Sequence, residues 1–282
     1  MSYSQHLLLL LFLTLMCISK GNEGGSVGIF IHGCNVESEG WDRIVWGEVS
    51  DNPEKSIHDW SGRMVRAAEV VEGILFNNVC DKNMNLQSIM WGSGLELPDK
   101  FKEEFAVCRE GQYTRSHFLH NFDQLRNYKY FRHLSTKRFE RLRGVMTRLS
   151  ITDDISHNTV TELHACLEHF KNKKIDIVLL VSSATHAPRC IKEASTLMMK
   201  IKNEAVGGEW DPMLCVIPSE TCYHGTNAED VFIFEPPHIP RDVEFFHSRK
   251  NDYALIQRWM KLSGDDKLKF SDRLDNLLTE FE

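Results

Sequence analysis

Residues 182–189 read Ser-Ser-Ala-Thr-His-Ala-Pro-Arg and directly follow the apolar run 175–181, IDIVLLV. Such a run suits a strand buried on both faces, so the polar octet stands where a strand gives way to a helix. Pro188 fits a first helical turn, where its missing N–H costs nothing. A helix N-terminus carries about half a positive charge. His186 and Arg189 would add donors in the same turn, which favours phosphate or carboxylate. His186 could also alternate between donor and general base near neutral pH. The same residues have an equally good structural use, with Ser183 as a helix cap, His186 bonded to a carbonyl and Arg189 in a surface ion pair.

Four further loops carry chemistry-bearing residues. His32-Gly-Cys-Asn35 and Trp91-Gly-Ser-Gly94 each follow a short β-rich run, Glu235-Pro-Pro-His238 follows another, and residues 154–159 open a helix. Gly33, Gly92 and Gly94 would let a ligand approach the backbone, with Asn35 and Ser93 beside them. Asn158, Thr159, Ser183 and Arg189 would hold an anionic or polar group. His238 is a second catalytic candidate beside His186, although an exposed turn histidine is the simpler reading. No metal is expected, because the eight cysteines (17, 34, 80, 108, 166, 190, 215, 222) form no CxxC pair and no zinc-module spacing. His164 and Glu168 share a helix face, but two ligands are too few, and solvent-facing residues explain them better. There is no HExxH, no P-loop, no GxSxG and no GxGxxG after the first strand.

These loops need a scaffold, and the hydrophobic pattern supplies one. Strands are expected at residues 27–31, 86–90, 175–181, 213–217 and 230–234, and helices at 59–76, 131–150, 159–170 and from the octet to about 201. Residues 252–282 read as one or two amphipathic helices. In the helix 59–76, Met64, Ala67, Ala68, Val71 and Leu75 form the apolar stripe, which leaves Arg63, Arg66 and Glu69 largely off it. Strands alternating with helices argue for an α/β fold with a doubly wound, mostly parallel sheet and helices on both faces. In such a sheet ligands bind outside the carboxyl ends of the strands.

The octet resembles the signature T/S-S-A-x-H-x-x-R of the YdcF/SanA/ElyC-like family, a domain-of-unknown-function family. Ser156-His-Asn-Thr159 is similar to that family's S-x-N-T box, Gly92-Ser-Gly94 sits where the family has a Ser-Gly-Gly turn, and the helix from Gly62 to Ala68 matches its Arg-rich helix. The resemblance runs from about Val27 to Asp242. It implies a Rossmann-like fold and, as a candidate cofactor, S-adenosylmethionine. Two departures stand out: a long stretch between Gly94 and Ser156 looks like a helical insertion, and Cys190 replaces a usual alanine.

Composition bounds the rest. With 42% hydrophobic and 26% charged residues the 282-residue chain is neither disordered nor collagenous. A net charge of −7 argues against coating of nucleic acid. The segment from Arg126 to Arg148 holds eight Lys or Arg and one acid, Glu140. It could contact nucleic acid or anionic membrane, but a solvated face offsetting the acidic stretch 37–59 is the better reading. Residues 7–18, LLLLLFLTLMCI, have the length of a signal-peptide core, which points to export or to an N-terminal anchor as the one membrane contact. The expected organisation is therefore 1–25 signal or anchor, 26–250 α/β domain with an insertion at about 97–150, and 251–282 C-terminal helices. Two functions compete: a small-molecule-binding protein for a nucleotide-like or phosphorylated anionic ligand, and a non-catalytic envelope or secretory-pathway factor.

Overall fold

The computed structural model describes residues 25–38, 40–49, 60–76, 84–184, 186–204 and 210–219. The strand expected at 230–234, His238, the N-terminal apolar segment and the C-terminal helices lie outside them. Five strands, β1 (Ser26–Ile31), β4 (Asn85–Trp91), β5 (Ser150–Thr152), β6 (Ile177–Ser183) and β7 (Met213–Ser219), form one sheet in the order β5-β4-β1-β6-β7. Every pairing in it is parallel. Counting only these strands along the chain, the order is 3-2-1-4-5, the doubly wound Rossmann-like arrangement that the alternating pattern predicts. β5 was not anticipated, because its three residues directly continue a helix and leave no separate apolar run.

Side-chain alternation divides the sheet between two cores, which is why its strands read as continuous apolar runs. Val27, Ile29, Ile31, Leu179 and Val181 face one side. Phe30, Val178 and Leu180 face the other, against Leu163, Leu167 and Phe170 of α7 (Thr159–Asn172) and Ala194, Leu197 and Met198 of α8 (Ala187–Glu204). Gly28 has no side chain for a concrete reason: a Cβ there would lie 2.7 Å from the Phe170 ring.

The first core is thicker. α1 (Trp41–Val45), β2 (Gly47–Glu48) and β3 (Trp60–Ser61) precede α2 (Arg63–Phe76), and β2 pairs antiparallel with β3. The polar residues of α2, although off the apolar stripe, are buried as well: Arg63, Arg66, Glu69 and Glu72 are 7, 3, 6 and 1% exposed. They are buried because α2 lies between the sheet and the helical segment that joins β4 to β5, so neither of its faces is free for water. Their charges are met internally. Arg66 bonds Glu69 at 2.6 Å, Ser61 donates to Glu69 at 2.5 Å, and Tyr130 donates to Glu72 at 2.6 Å.

The segment between β4 and β5 comprises α3 (Asp99–Phe105), α4 (Glu110–His120), a 3-10 turn (Phe122–Asn127), α5 (Lys129–Arg132) and α6 (Thr136–Leu149). The single helix expected at 131–150 is broken at Ser135, whose hydroxyl caps α6 by accepting from the Arg138 N–H. Phe118, Phe122 and Phe139 stack edge to face at 5.3 and 5.2 Å between ring centres. Several basic side chains lie over Phe122, Phe139 and the nearby Phe76 rather than pointing only into water. Arg126 is 4.0 Å from the Phe139 centre, Arg138 is 4.5 Å from Phe76, and Arg143 is 5.1 Å from Phe122. Arg138 also pairs with Glu72, and Arg143 with Asp123. Among the described residues no helix is long and apolar enough to cross a membrane.

Candidate functional site

The sheet's order reverses between β1 and β6, since β4 continues to one side and β7 to the other. At such a point the loops leaving adjacent strands turn to opposite faces and open a crevice. Three chain segments meet here. β1 delivers His32 and Gly33, and β6 delivers Ser183, with His186 following it. The connection after β5 turns at Asp153 and starts α7 at the same edge. That turn is well built: Asp153, buried, accepts from the N–H groups of Ile155 and Ser156 at 3.1 and 3.2 Å and from the Ser156 hydroxyl. α7 thereby brings Thr159 Oγ1 to 3.2 Å from His186 Nε2.

Arg63, at the start of α2, ties the two central strands together. Its Nη1 donates to the carbonyls of His32, at 3.2 Å, and of Gly33, and its Nη2 donates to Ser183 Oγ at 2.9 Å. A fixed positive charge therefore stands at the reversal point. Beside it His32, buried, donates from Nδ1 to Glu162 Oε2 at 3.0 Å. The carboxylate fixes the tautomer, leaving Nε2 as the acceptor nitrogen. The His32 and His186 rings meet edge to face with centres 5.6 Å apart. Cys190, one turn into α8 and buried, donates to Ser182 Oγ at 3.6 Å.

Burial holds the His32 imidazole below its ordinary range; Glu162 pulls the other way, and His186 and Arg63 add to the lowering. Burial also pushes up the Cys34 thiol, which Arg63 partly opposes, and the Glu110 carboxyl, despite bonds from Ser93 and Val36. The result is a neutral imidazole oriented by a carboxylate beside a cation. Such a pair can accept a proton from a polar group seated between His32 and His186, while Arg63 and the start of α8 offset negative charge.

The sequence-selected residues divide into two sets. Thr159, Ser183 and His186 meet at the reversal point. Arg189 lies half-buried in the first turn of α8. Asn158 is exposed and occupied as the cap of α7, its Oδ1 accepting from the N–H groups of Val160 and Thr161 at 3.0 and 3.1 Å. Asn35 is exposed and closes its own turn through Glu37 N–H at 2.8 Å. Ser93, at φ 77°, is buried and donates to Glu110 Oε2 at 2.6 Å. The glycines serve loop-to-loop packing. A Cβ at Gly33 would meet Glu162 Oε1 at 2.8 Å, one at Gly92 would meet Phe30 Cζ at 2.8 Å, and one at Gly94 would meet the backbone of Asp154 at 2.6 Å.

Four participants escaped the sequence reading as site residues: His32, Arg63, Glu162 and Cys190. His32 had a signal, since it directly follows a strand. Glu162 had a faint one, as an acid in the first turn of the helix that Asn158 opens. No family model, curated protein or solved structure matches this chain.

Proposed function

We propose that this chain is a small-molecule-binding α/β protein of the YdcF-like kind that takes a nucleotide-like or phosphorylated ligand, with S-adenosylmethionine as a candidate, at the carboxyl edge of its sheet. The observation that carries this reading is the Arg63 fork across the reversal point. It places a cation between the ends of β1 and β6, next to the His32–Glu162 pair and the N-terminus of α8. Anionic groups are stabilised by exactly this combination of guanidinium and helix N-terminus only when both address the same space, and the Thr159–His186 contact puts α7 and α8 around it as well.

A thermal-shift panel of nucleotides, S-adenosylmethionine and phosphorylated sugars tests the reading. A true ligand at about a hundredfold excess over its Kd adds about 2.7 kcal/mol, a rise of several degrees for a domain of this size. Arg189→Ala should remove the shift while leaving the unliganded midpoint nearly unchanged, because a half-exposed Arg adds little to stability but much to anion recognition. A panel without any shift, or a shift indifferent to Arg189→Ala, rejects the reading.

A further inference from the structure

His32, His186 and Cys190 each offer one ligand atom, and the three atoms lie within 4.8 Å of one another. Sequence spacing could not reveal this set, because His32 leaves β1 whereas His186 and Cys190 flank the start of α8. The latter two stand four residues apart, with the Cys190 N–H bonded to the His186 carbonyl at 3.1 Å, so they share one face of the helix start. His32 approaches that face from the neighbouring strand.

A second observation points to a ligand. His32 Nε2 is buried and has no hydrogen-bond partner among the described residues. A buried imidazole nitrogen of this kind normally has one, since the missing bond leaves its desolvation uncompensated. The opposite nitrogen is held by Glu162. A carboxylate behind an imidazole, with the second nitrogen directed at other soft or borderline donors, is the outer-shell arrangement that fixes metal-binding histidines.

We propose that His32, His186 and Cys190 form a three-ligand site for a divalent transition metal, with Zn²⁺ the best match to two imidazoles and a thiolate. Glu162 is the positioning residue for His32, and Ser182 lies beside the sulfur, 3.6 Å away, where its hydroxyl can donate once the thiol is deprotonated. Bonds of roughly 2.0–2.3 Å around a tetrahedral ion hold ligand atoms roughly 3.3–3.8 Å apart, so the set must contract by about 1 Å. His186 is half-buried and can supply that movement by side-chain rotation. On binding, the metal–sulfur bond replaces the Cys190 S–H bond, and the proton passes to solvent. The fourth position remains for water or an anionic ligand, the pattern of zinc sites that keep one position open. The site does not rest on the ligand reading above, because the metal alone is the probe.

The test is titration of the chelator-stripped full chain with Co²⁺, followed by displacement with Zn²⁺. One equivalent should bind with the near-ultraviolet charge-transfer band of a cobalt thiolate and the visible bands of a tetrahedral ion. Cys190→Ser should abolish the charge-transfer band, and Glu162→Gln should weaken binding about 10- to 100-fold, the usual effect of losing an outer-shell partner. Circular dichroism of each metal-free variant verifies folding; if Cys190→Ser does not fold, His186→Gln, at a half-buried position, should weaken binding at least about tenfold in its place. His164→Ala, an exposed histidine on α7, should bind as the parent does. Failure to bind one equivalent, a charge-transfer band that survives Cys190→Ser, or unchanged affinity in both Glu162→Gln and His186→Gln overturns the proposal.

Discussion

Two histidines, the buried His32 and the half-buried His117, mark the contrast between the crevice and the aromatic layer around α4. Burial lowers the affinity of both for a proton. His117 is ringed by Trp41, Tyr113 and Phe105 at 5.2, 5.9 and 6.2 Å between centres, and Asp42, Glu104 and His120 act on it only as nearby charges. His32 instead has a carboxylate at 3.0 Å, a second imidazole and a guanidinium. The lesson is that burial alone does not make a histidine chemical; groups able to orient it and exchange protons with it do.

The contrast predicts that the aromatic layer governs stability and the crevice governs binding. Phe118→Ala, which removes a fully buried ring touching Trp46, Trp91 and Phe122, should cost about 3–5 kcal/mol in chemical denaturation and leave ligand or metal affinity of the remaining folded protein unchanged. A loss below about 1 kcal/mol would mean that the layer is not a packed core.

A smaller effect is expected at the cap of α7. Asn158→Ala should cost about 1 kcal/mol, the typical loss for an N-cap with its capping box. If it abolished ligand binding without this cost, Asn158 would belong to the crevice rather than to the helix.

The pH dependence sharpens the contrast further. The folded His32 has a lowered pKa, so below the unfolded value of about 6.5 the unfolded chain binds more protons and stability declines as pH falls. His117 and His169 contribute in the same direction. Replacing His32 by Asn, which keeps a donor toward Glu162, should flatten the thermal-midpoint slope between pH 7 and 5.5 (approximate limits) but not eliminate it. A slope identical to the parent's would mean that folding does not shift the proton affinity of His32. The smallest effect belongs to His164→Ala, which breaks only an exposed 3.7 Å contact with Glu168 and should shift stability by less than about 0.5 kcal/mol.

The fold was legible where physics is local. The run ending in Val181 announces a strand covered on both faces, and the helices expected at 159–170 and from the octet to about 201 correspond to α7 and α8. Arg63, Arg66 and Glu69 lie off the apolar stripe, but periodicity does not say that the second face of α2 is covered too and that its charges are satisfied internally. The site was legible only in its contiguous part. Ser183 and His186 stand in one octet and Thr159 opens a helix, but His32 and Glu162 are 130 residues apart and meet only through the sheet order. The glycines were read as openings for a ligand because glycine permits close approach of any kind, and here the approaching groups are other loops.

The placement of β1 at the middle of the sheet also bears on how the chain assembles. Its backbone ladder needs β4 on one edge and β6 on the other, and Ser26 is bonded to Asp176 across 150 residues. Contacts of such sequence separation close large loops before they return any stabilisation, which slows folding. During synthesis the apolar β1 must therefore wait, with one edge open, until residue 183 has left the ribosome, and that interval is when this chain most depends on protection from aggregation.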